Sequence, residues 1–470
     1  MPDREDVAAV VPVVAPAPDV GRPDGPGAGM IERLAATAAA TDWASAPAAV
    51  RDRVLDLVAD TVAVAALGSG RAELRALAAG CTGSGASTVV GSPHRRPVGD
   101  AQFLNGSAIA ADQLQDGHRP ARGHPASHVV PAVLALAEDR DLTGAELLSS
   151  VLAGYQVGVR VGRAMGGTPD GVHDIGTWGQ VGAAAGVARL LAPGDVDAAR
   201  RAIELAGSAV LLSDAATVFA GRTGGHAFLG ASVQLGASLG AAAVAGLEPL
   251  PGALERHFAA VAARDWSAGG PEHGHEVLAG YTKAHPTCAH LHGVNDAVAD
   301  IVAATGPLTD VDRVEVRTFA HAARFDTVAG SELAARFSVP TSVAVALLTG
   351  ALDETTLTTA TVCSAPVRDL AARVEVRHDP ALDAGYPAGR PARVRVVRAD
   401  GSELTGAADL PRGDGTRAFD RDASRTKARR LLDHRFPGHA DAVLAAVDGL
   451  AAGGDARSLG AALRAAAVAA

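Results

Sequence analysis

Asp112 to Glu138 reads DQLQDGHRPARGHPASHVVPAVLALAE, a turn-rich segment that runs straight into an apolar helix. It gathers Asp112 and Asp116, the histidines His118, His124 and His128, the arginines Arg119 and Arg122, and Ser127. Carboxylates and imidazoles grouped in this way are the side chains that exchange protons near neutral pH. The fixed φ of Pro131 suits a first helical turn, where its missing N–H is not needed, so the helix is expected to begin there. His124 and His128 would then stand just before a helix N-terminus. The positive end of the helix dipole disfavours an imidazolium at that place, leaving a neutral ring able to take or give a proton.

A second group of chemically capable residues lies in EHGHEVLAGYTKAHPTCAHLHGVNDA, with five histidines between His273 and His292 and with Lys283 and Cys288 among them. His290 and His292 would face different sides of a helix, and His273 and His275 suit a strand or turn, so no metal site is expected. Cys81, Cys288 and Cys363 are far apart in sequence. Their spacing supports neither a disulfide framework nor a zinc ribbon or iron–sulfur cluster, and Cys288 reads as a small packed residue. Two histidine groups on either side of a change in composition near residue 281 point to a cleft between domains, where such side chains converge.

The elements that must hold these groups follow from periodicity. Ser45 and Pro47 predict the start of a helix through VRDRVLDLVADTVAVAALG that stops at Gly68, and a second helix runs from Arg71 to Ala79. Thr143 and Glu146 form a T-x-x-E capping box ahead of LLSSVLAGYQVGVRVGRAM. Asp195 and Asp197 can cap VDAARRAIELAGSAVLL. The apolar segment AFLGASVQLGASLGAAAVAGL is expected to be a buried central helix, because Gly and Ala are weakly hydrophobic, Gln234 sits mid-span and no basic flank orients it. VDRVEVRTFA, ARVEVRHD and ARVRVVRADGSEL alternate Val with charged residues, the mark of strands with one wet face. FSVPTSVAVALLTG reads as a helix between the first two.

The predicted fold is therefore mainly α. A large all-helical domain is formed by both chain ends, residues 30–280 and 406–470, with a smaller α+β lid domain at 281–405. A chain of 470 residues suits two or three domains. Its 48% hydrophobic content with only 3% aromatic residues requires close packing of Ala, Val, Leu and Gly. The net charge of −10 without a basic run excludes nucleic acid and an anionic membrane surface as partners. Residues 1–29, broken by prolines and lacking a basic start before an apolar core, read as a disordered tail rather than a signal peptide, and a cytoplasmic location is expected.

Taken in order, HPASHVVPAVLALAE, GAELLSSVLAGYQVGVRVG, KAHPTCAHLHGVNDA and FSVPTSVAVALLTG resemble the 2-methylcitrate dehydratase (MmgE/PrpD) superfamily, which includes cis-aconitate decarboxylase and an iminodisuccinate epimerase. The resemblance covers most of the chain from about residue 30. It implies a helical domain with an α+β lid, a homodimer, and catalysis without metal or organic cofactor. By position it implies roles for His124, for His173, and for Lys283, Pro286 and Cys288 of a K-x-x-P-x-C motif, with His292 and Asp296 downstream. Asp116 stands where the family has an Asp-Asp-Thr run. The chain departs from the pattern at Gln113, Gly117 and Thr341, and Arg222 is shifted from the family's basic position, with His226 as a candidate replacement.

The chemistry implied is proton transfer at a carbon next to a carboxylate of a small polycarboxylate or hydroxy acid. The expected catalytic residues are His124, His173, Asp116 and Lys283. His124 or His173 would shuttle the proton, and Asp116 would orient an imidazole or act as partner acid. Asp112, Arg122, Arg222, His226 and His292 are expected to bind substrate. A dehydratase-type lyase is the first expectation and a decarboxylase or epimerase in the same pocket the second, with a specialised-metabolism acid as substrate in view of the three departures. A non-catalytic protein that binds a small acid is the reading from a different class.

Overall fold

The computed structural model describes residues 29–262 and 274–469. The tail expected at 1–29, apart from Gly29, and His273 of the second histidine group lie outside them. The longer helices that matter for the site are α1 (Ala48–Ser69), α2 (Val98–Ala110), α3 (Pro125–Asp139), α4 (Gly144–Met165), α5 (Gly179–Leu191), α6 (Val196–Gly207) and α7 (Gly224–Val244). Further along come α8 (His292–Thr305), α9 (Val339–Thr349) and α10 (Arg421–Arg435). The architecture is mainly α, with one four-stranded sheet and two short two-stranded ladders among the described residues.

One apolar cluster joins helices from both ends of the described chain, from Met30 to Val277 and again from Ala428 to Ala466. A buried ion pair ties the two ends together: Lys427 on α10 meets Asp60 on α1 at 2.7 Å and donates to the carbonyl of Leu114 at 2.9 Å. The low aromatic content has its structural counterpart in close helix approaches. A Cβ at Gly236 or Gly240 of α7 would come within 2.5 Å of the Gln180 or Ala184 carbonyl on α5. α7 packs on α2, α5 and α6. Ala227, Ser238 and Ala241 on its other side are exposed, so the helix expected to be buried all round is buried on one face only.

A second apolar cluster forms around the sheet β1 (Val311–Thr318), β2 (Val374–His378), β3 (Ala392–Arg398) and β4 (Glu403–Ala408). Its order is β2-β1-β3-β4, with β1 and β2 parallel and the other pairs antiparallel. Val314 and Val316 pair with Val396 and Val394, and all four valines are buried on the face that meets α8 and α9. The period-two alternation produces this arrangement, since successive side chains point to opposite faces. β4 continues to Ala408, three residues beyond the boundary expected at 405.

The capping box at Thr143 and Glu146 is present in both directions, and Asp195 caps α6 through the Ala198 N–H, with Asp197 inside the helix. α1 starts at Ala48 without a side-chain cap and runs past Gly68 to Ser69. The helix of the opening stretch starts at Pro125, not Pro131; Pro131 lies inside α3 and His128 is already helical. The start of the helix is secured from elsewhere, by the side chain of Asp116.

Candidate active site

Two residues with left-handed backbones, Gln113 (φ 53°) and Arg122 (φ 54°), shape the loop that carries Asp112, Asp116 and His124. Such a φ is uncommon for residues other than glycine. At Gln113 the backbone presents its carbonyl to the buried ammonium of Lys283, which donates to it at 3.0 Å. Lower in the loop, Gly117 and His118 pair with Tyr281 and Gly280. A Cβ at Gly117 would fall 2.1 Å from the Tyr281 ring, so Tyr281 occupies the space that a threonine would need.

His124 is the N-cap residue of α3, but its side chain does not cap the helix. Asp116 does so from eight residues upstream: its carboxylate accepts from Ala126 N–H at 3.1 Å, Ser127 N–H at 3.2 Å and Ser127 Oγ at 3.0 Å. These are the donors that a helix start leaves unpaired. The imidazole of His124 is thereby left free, and it is the main-chain carbonyl of Asp116, not the carboxylate, that meets Nδ1 at 2.5 Å. A carbonyl only accepts, so the hydrogen-bond pattern assigns the proton to Nδ1 and the lone pair to Nε2. Burial pushes His124 down to about 4, with Lys283 adding to the effect and Asp174 opposing it. The ring is therefore neutral at physiological pH. Burial also raises Asp116 to about 6, against the hydrogen bonds from Ala126 and Ser127.

His173 enters from the loop before α5. Its Nδ1 accepts from Ile175 N–H at 3.1 Å, which assigns the proton to Nε2, and burial lowers its pKa. Asp174, which the sequence reading passed over, stands between the two rings. Its Oδ1 lies 3.1 Å from His173 Nδ1, and its Oδ2 lies 3.8 Å from His124 Nε2 with no hydrogen-bond partner of its own. The two loops approach this closely because residue 123 is glycine: a Cβ there would sit 2.4 Å from Trp178 and 2.9 Å from Asp174 Oδ2.

Lys283 is fully buried. Burial brings its ammonium down to about 8, against the opposing pull of Cys288 and Asp174. Its charge is felt by both His124 and His173. Burial raises the Cys288 thiol instead, which keeps it protonated and inert as a nucleophile. His292 begins α8, packs edge-on against His285 with ring centres 5.5 Å apart, and has a buried Nε2 without a hydrogen-bond partner. His285 pairs with Asp296 at 2.8 Å.

The remaining expected residues lie elsewhere. Asp112 is enclosed by Arg71 and by Arg336, whose Nη2 is 2.8 Å away. Burial alone would raise Asp112, but Arg336 and Arg71 outweigh it and hold its pKa down. Arg336 also donates to the carbonyl of Pro286 at 3.0 Å and to Glu332 at 3.1 Å. His226 belongs to this same neighbourhood, 3.8 Å from Glu73 and within the electrostatic reach of Asp112 and Arg336. Arg222 is exposed, and so is Arg122, whose charge reaches His321. The structure thus brings His124, His173, Asp116 and Lys283 to one buried centre and sets Asp112 in a separate ion-pair network, with His226 beside it. Among the described residues no group of three or more His, Cys, Asp or Glu is arranged to hold a metal ion.

Beside the centre is a cavity of about 510 Å³ lined by Phe219, Phe325, Phe337, His290, His321 and Arg324, among others. Phe219 presents its ring to His173 with centres 5.2 Å apart.

Residues 32–257 match the model of the MmgE/PrpD N-terminal domain, and residues 285–450 match that of the MmgE/PrpD C-terminal domain. Among curated proteins, the chain is 35% identical over 127 residues to the cis-aconitate decarboxylase-like protein oryM of Aspergillus oryzae, covering 24% of this chain and 26% of that protein. It is 26% identical over 244 residues to cis-aconitate decarboxylase of Aspergillus terreus, covering 46% of this chain and 48% of that protein. The matches thus span about a quarter to about half the length of these relatives.

Proposed function

The chain belongs to the MmgE/PrpD family, and from that premise we propose that it is a cofactor-independent lyase that moves a proton at a carbon next to a carboxylate, eliminating water from a hydroxy acid. The observation that carries this reading is the pairing of a neutral imidazole with a buried ammonium. His124 has its proton held on Nδ1 by the Asp116 carbonyl and its Nε2 lone pair free. Lys283 is a cation whose pKa is lowered to about 8, so that it gives up a proton more readily than an exposed lysine.

In the elimination, His124 Nε2 takes the proton from the carbon beside the carboxylate. The C–H electron pair is first held as a carbanion delocalised onto the carboxylate, and it becomes the new C=C bond as the C–O bond to the neighbouring hydroxyl breaks. That oxygen takes a proton from Lys283 and leaves as water. His124 ends as an imidazolium and Lys283 as an amine, and a proton passed from the first to the second resets the site. Asp174 Oδ2, 3.8 Å from His124 Nε2, supplies the negative charge that favours the imidazolium as it forms. While it is cationic, Lys283 also stabilises negative charge building on the substrate, an interaction strengthened by the exclusion of water. His173 stays neutral and offers its Nε2–H to a substrate oxygen.

The names of the relatives favour a second reading, decarboxylation. There the bond from carbon to carboxylate breaks, carbon dioxide leaves, and the electron pair left on carbon takes a proton from Lys283. His124 would then hold substrate without removing a proton. Proton NMR of the purified protein with 2-methylcitrate, citrate, cis-aconitate and simpler hydroxy acids separates the two. The proposal expects an alkene formed with loss of water; carbon dioxide release from an unsaturated acid would replace it with the second reading. A folded protein that binds these acids and transforms none would be a binding protein.

A further inference from the structure

The proton-transfer centre leaves unused the cavity of about 510 Å³ beside it. Its apolar surface comes from Phe219, Phe325 and Phe337. The Phe219 ring is 5.2 Å from that of His173 and 5.4 Å from that of Phe325, both edge-on, so the apolar wall continues directly from a side chain of the centre. Of the polar lining residues, His321, Arg324 and Thr327 are exposed at the rim and His290 is half-buried, whereas Phe337 is buried. Phe219 and Val328 line the same space and remain 37% and 40% exposed, apolar surface left open to water. A concave space of this volume suits a substituent of a small molecule better than the flatter surface of a partner protein. A compact tricarboxylic acid would have to give up hydration against three phenyl rings with little to replace it.

We propose that the substrate is a carboxylic acid bearing an apolar substituent of several carbons, with its reacting carbon at His124 and Lys283 and its tail in this cavity. The inference rests on the acid-lyase reading given above and deepens it by naming the class of acid. It also gives Arg324, an exposed lining residue, a place at the rim, where its charge attracts the carboxylated end as the acid approaches.

The test is a series of acids with one head group and a lengthening tail, from 2-methylcitrate through 2-butylcitrate to 2-hexylcitrate, assayed for kcat/KM and, separately, for Kd by calorimetry. Burial of each methylene is worth about threefold, so the butyl acid, with three more of them, is expected to exceed the methyl acid by about 30-fold in both quantities. Ala220→Trp, at an exposed position lining the cavity, should cut that advantage to about threefold or less, since it takes up space needed by the tail. Affinity and turnover that stay flat or fall with chain length, or selectivity untouched by Ala220→Trp, would overturn the inference. Equal turnover at every length would leave the lyase reading standing and remove the tail pocket. Tighter binding with length and no turnover would do the reverse. An Ala220→Trp chain that loses an oligomeric state while keeping its acid selectivity would assign the cavity to a second copy of the chain, again overturning it.

Discussion

At one end of the loop from Asp112 to His124 a carboxylate is enclosed by two guanidinium groups; at the other an imidazole is fixed by a single carbonyl and keeps one nitrogen free. Both groups are buried, and both were candidates for chemistry by residue type. The difference lies in what their partners leave over. Arg71 and Arg336 neutralise Asp112 and hold its pKa down, so it has neither a proton to give nor much tendency to accept one. Around His124 and Lys283 the nearest hydrogen-bond partners are main-chain carbonyls, which orient without neutralising. A cluster whose charges cancel holds two parts of the fold together, while one whose polar atoms are aimed by the backbone stays reactive.

The largest expected effect breaks the second end. His124→Gln removes the free base while Asp116 continues to cap α3, so turnover should fall by about 10² to 10⁴ with the fold retained by circular dichroism. Undiminished turnover would move the base elsewhere. At the first end, Asp112→Ala leaves the buried Arg336 with Glu332 as its one carboxylate partner and should cost about 3–5 kcal/mol in a denaturant titration. The part of the population that remains folded should keep its activity to within about threefold, and selective loss of activity instead would make Asp112 a substrate ligand.

The proposed elimination requires His124 unprotonated, which holds above about 4, and Lys283 protonated, which holds below about 8. The profile of kcat/KM should therefore be bell-shaped with limbs near those two values, and Lys283→Arg should move the alkaline limb out of range while lowering the plateau. An alkaline limb unmoved by that change would assign the acid to another group. The smallest effect is expected at Asp174→Asn, which keeps the shape but removes the charge beside both rings, and should lower turnover by about tenfold while raising KM less.

What the sequence made legible follows from the range over which each signal acts. Alternating valines in 311–318 and 392–398 specify strands with one wet face, and Thr143 with Glu146 specifies a helix start, because each is decided within a few residues. His124, Asp116 and Lys283 were identifiable by type and by resemblance, and the structure places them together. Their division of labour was not, because it depends on contacts between distant segments. Arg336 reaches Asp112 across 224 positions and Lys283 reaches Gln113 across 170, and nothing in either neighbourhood announces the partner. Pro131 misled because proline is so common in a first turn, whereas here Asp116 secures an earlier start. Asp174 was passed over as the second residue of a plain His-Asp pair in a glycine-rich loop. Gly123, which allows that loop to approach, is a local sign that two segments come close.

The division between base and acid is tested most directly by solvent deuterium exchange at the carbon beside the carboxylate, followed by NMR in the unaltered protein, in His124→Gln and in Lys283→Met with the same acid. The account predicts exchange in the unaltered protein, none in His124→Gln, and continued exchange without loss of water in Lys283→Met, because abstraction then proceeds while the leaving oxygen has no proton donor. Exchange that persists in His124→Gln, or that disappears in Lys283→Met while water loss continues, would contradict it.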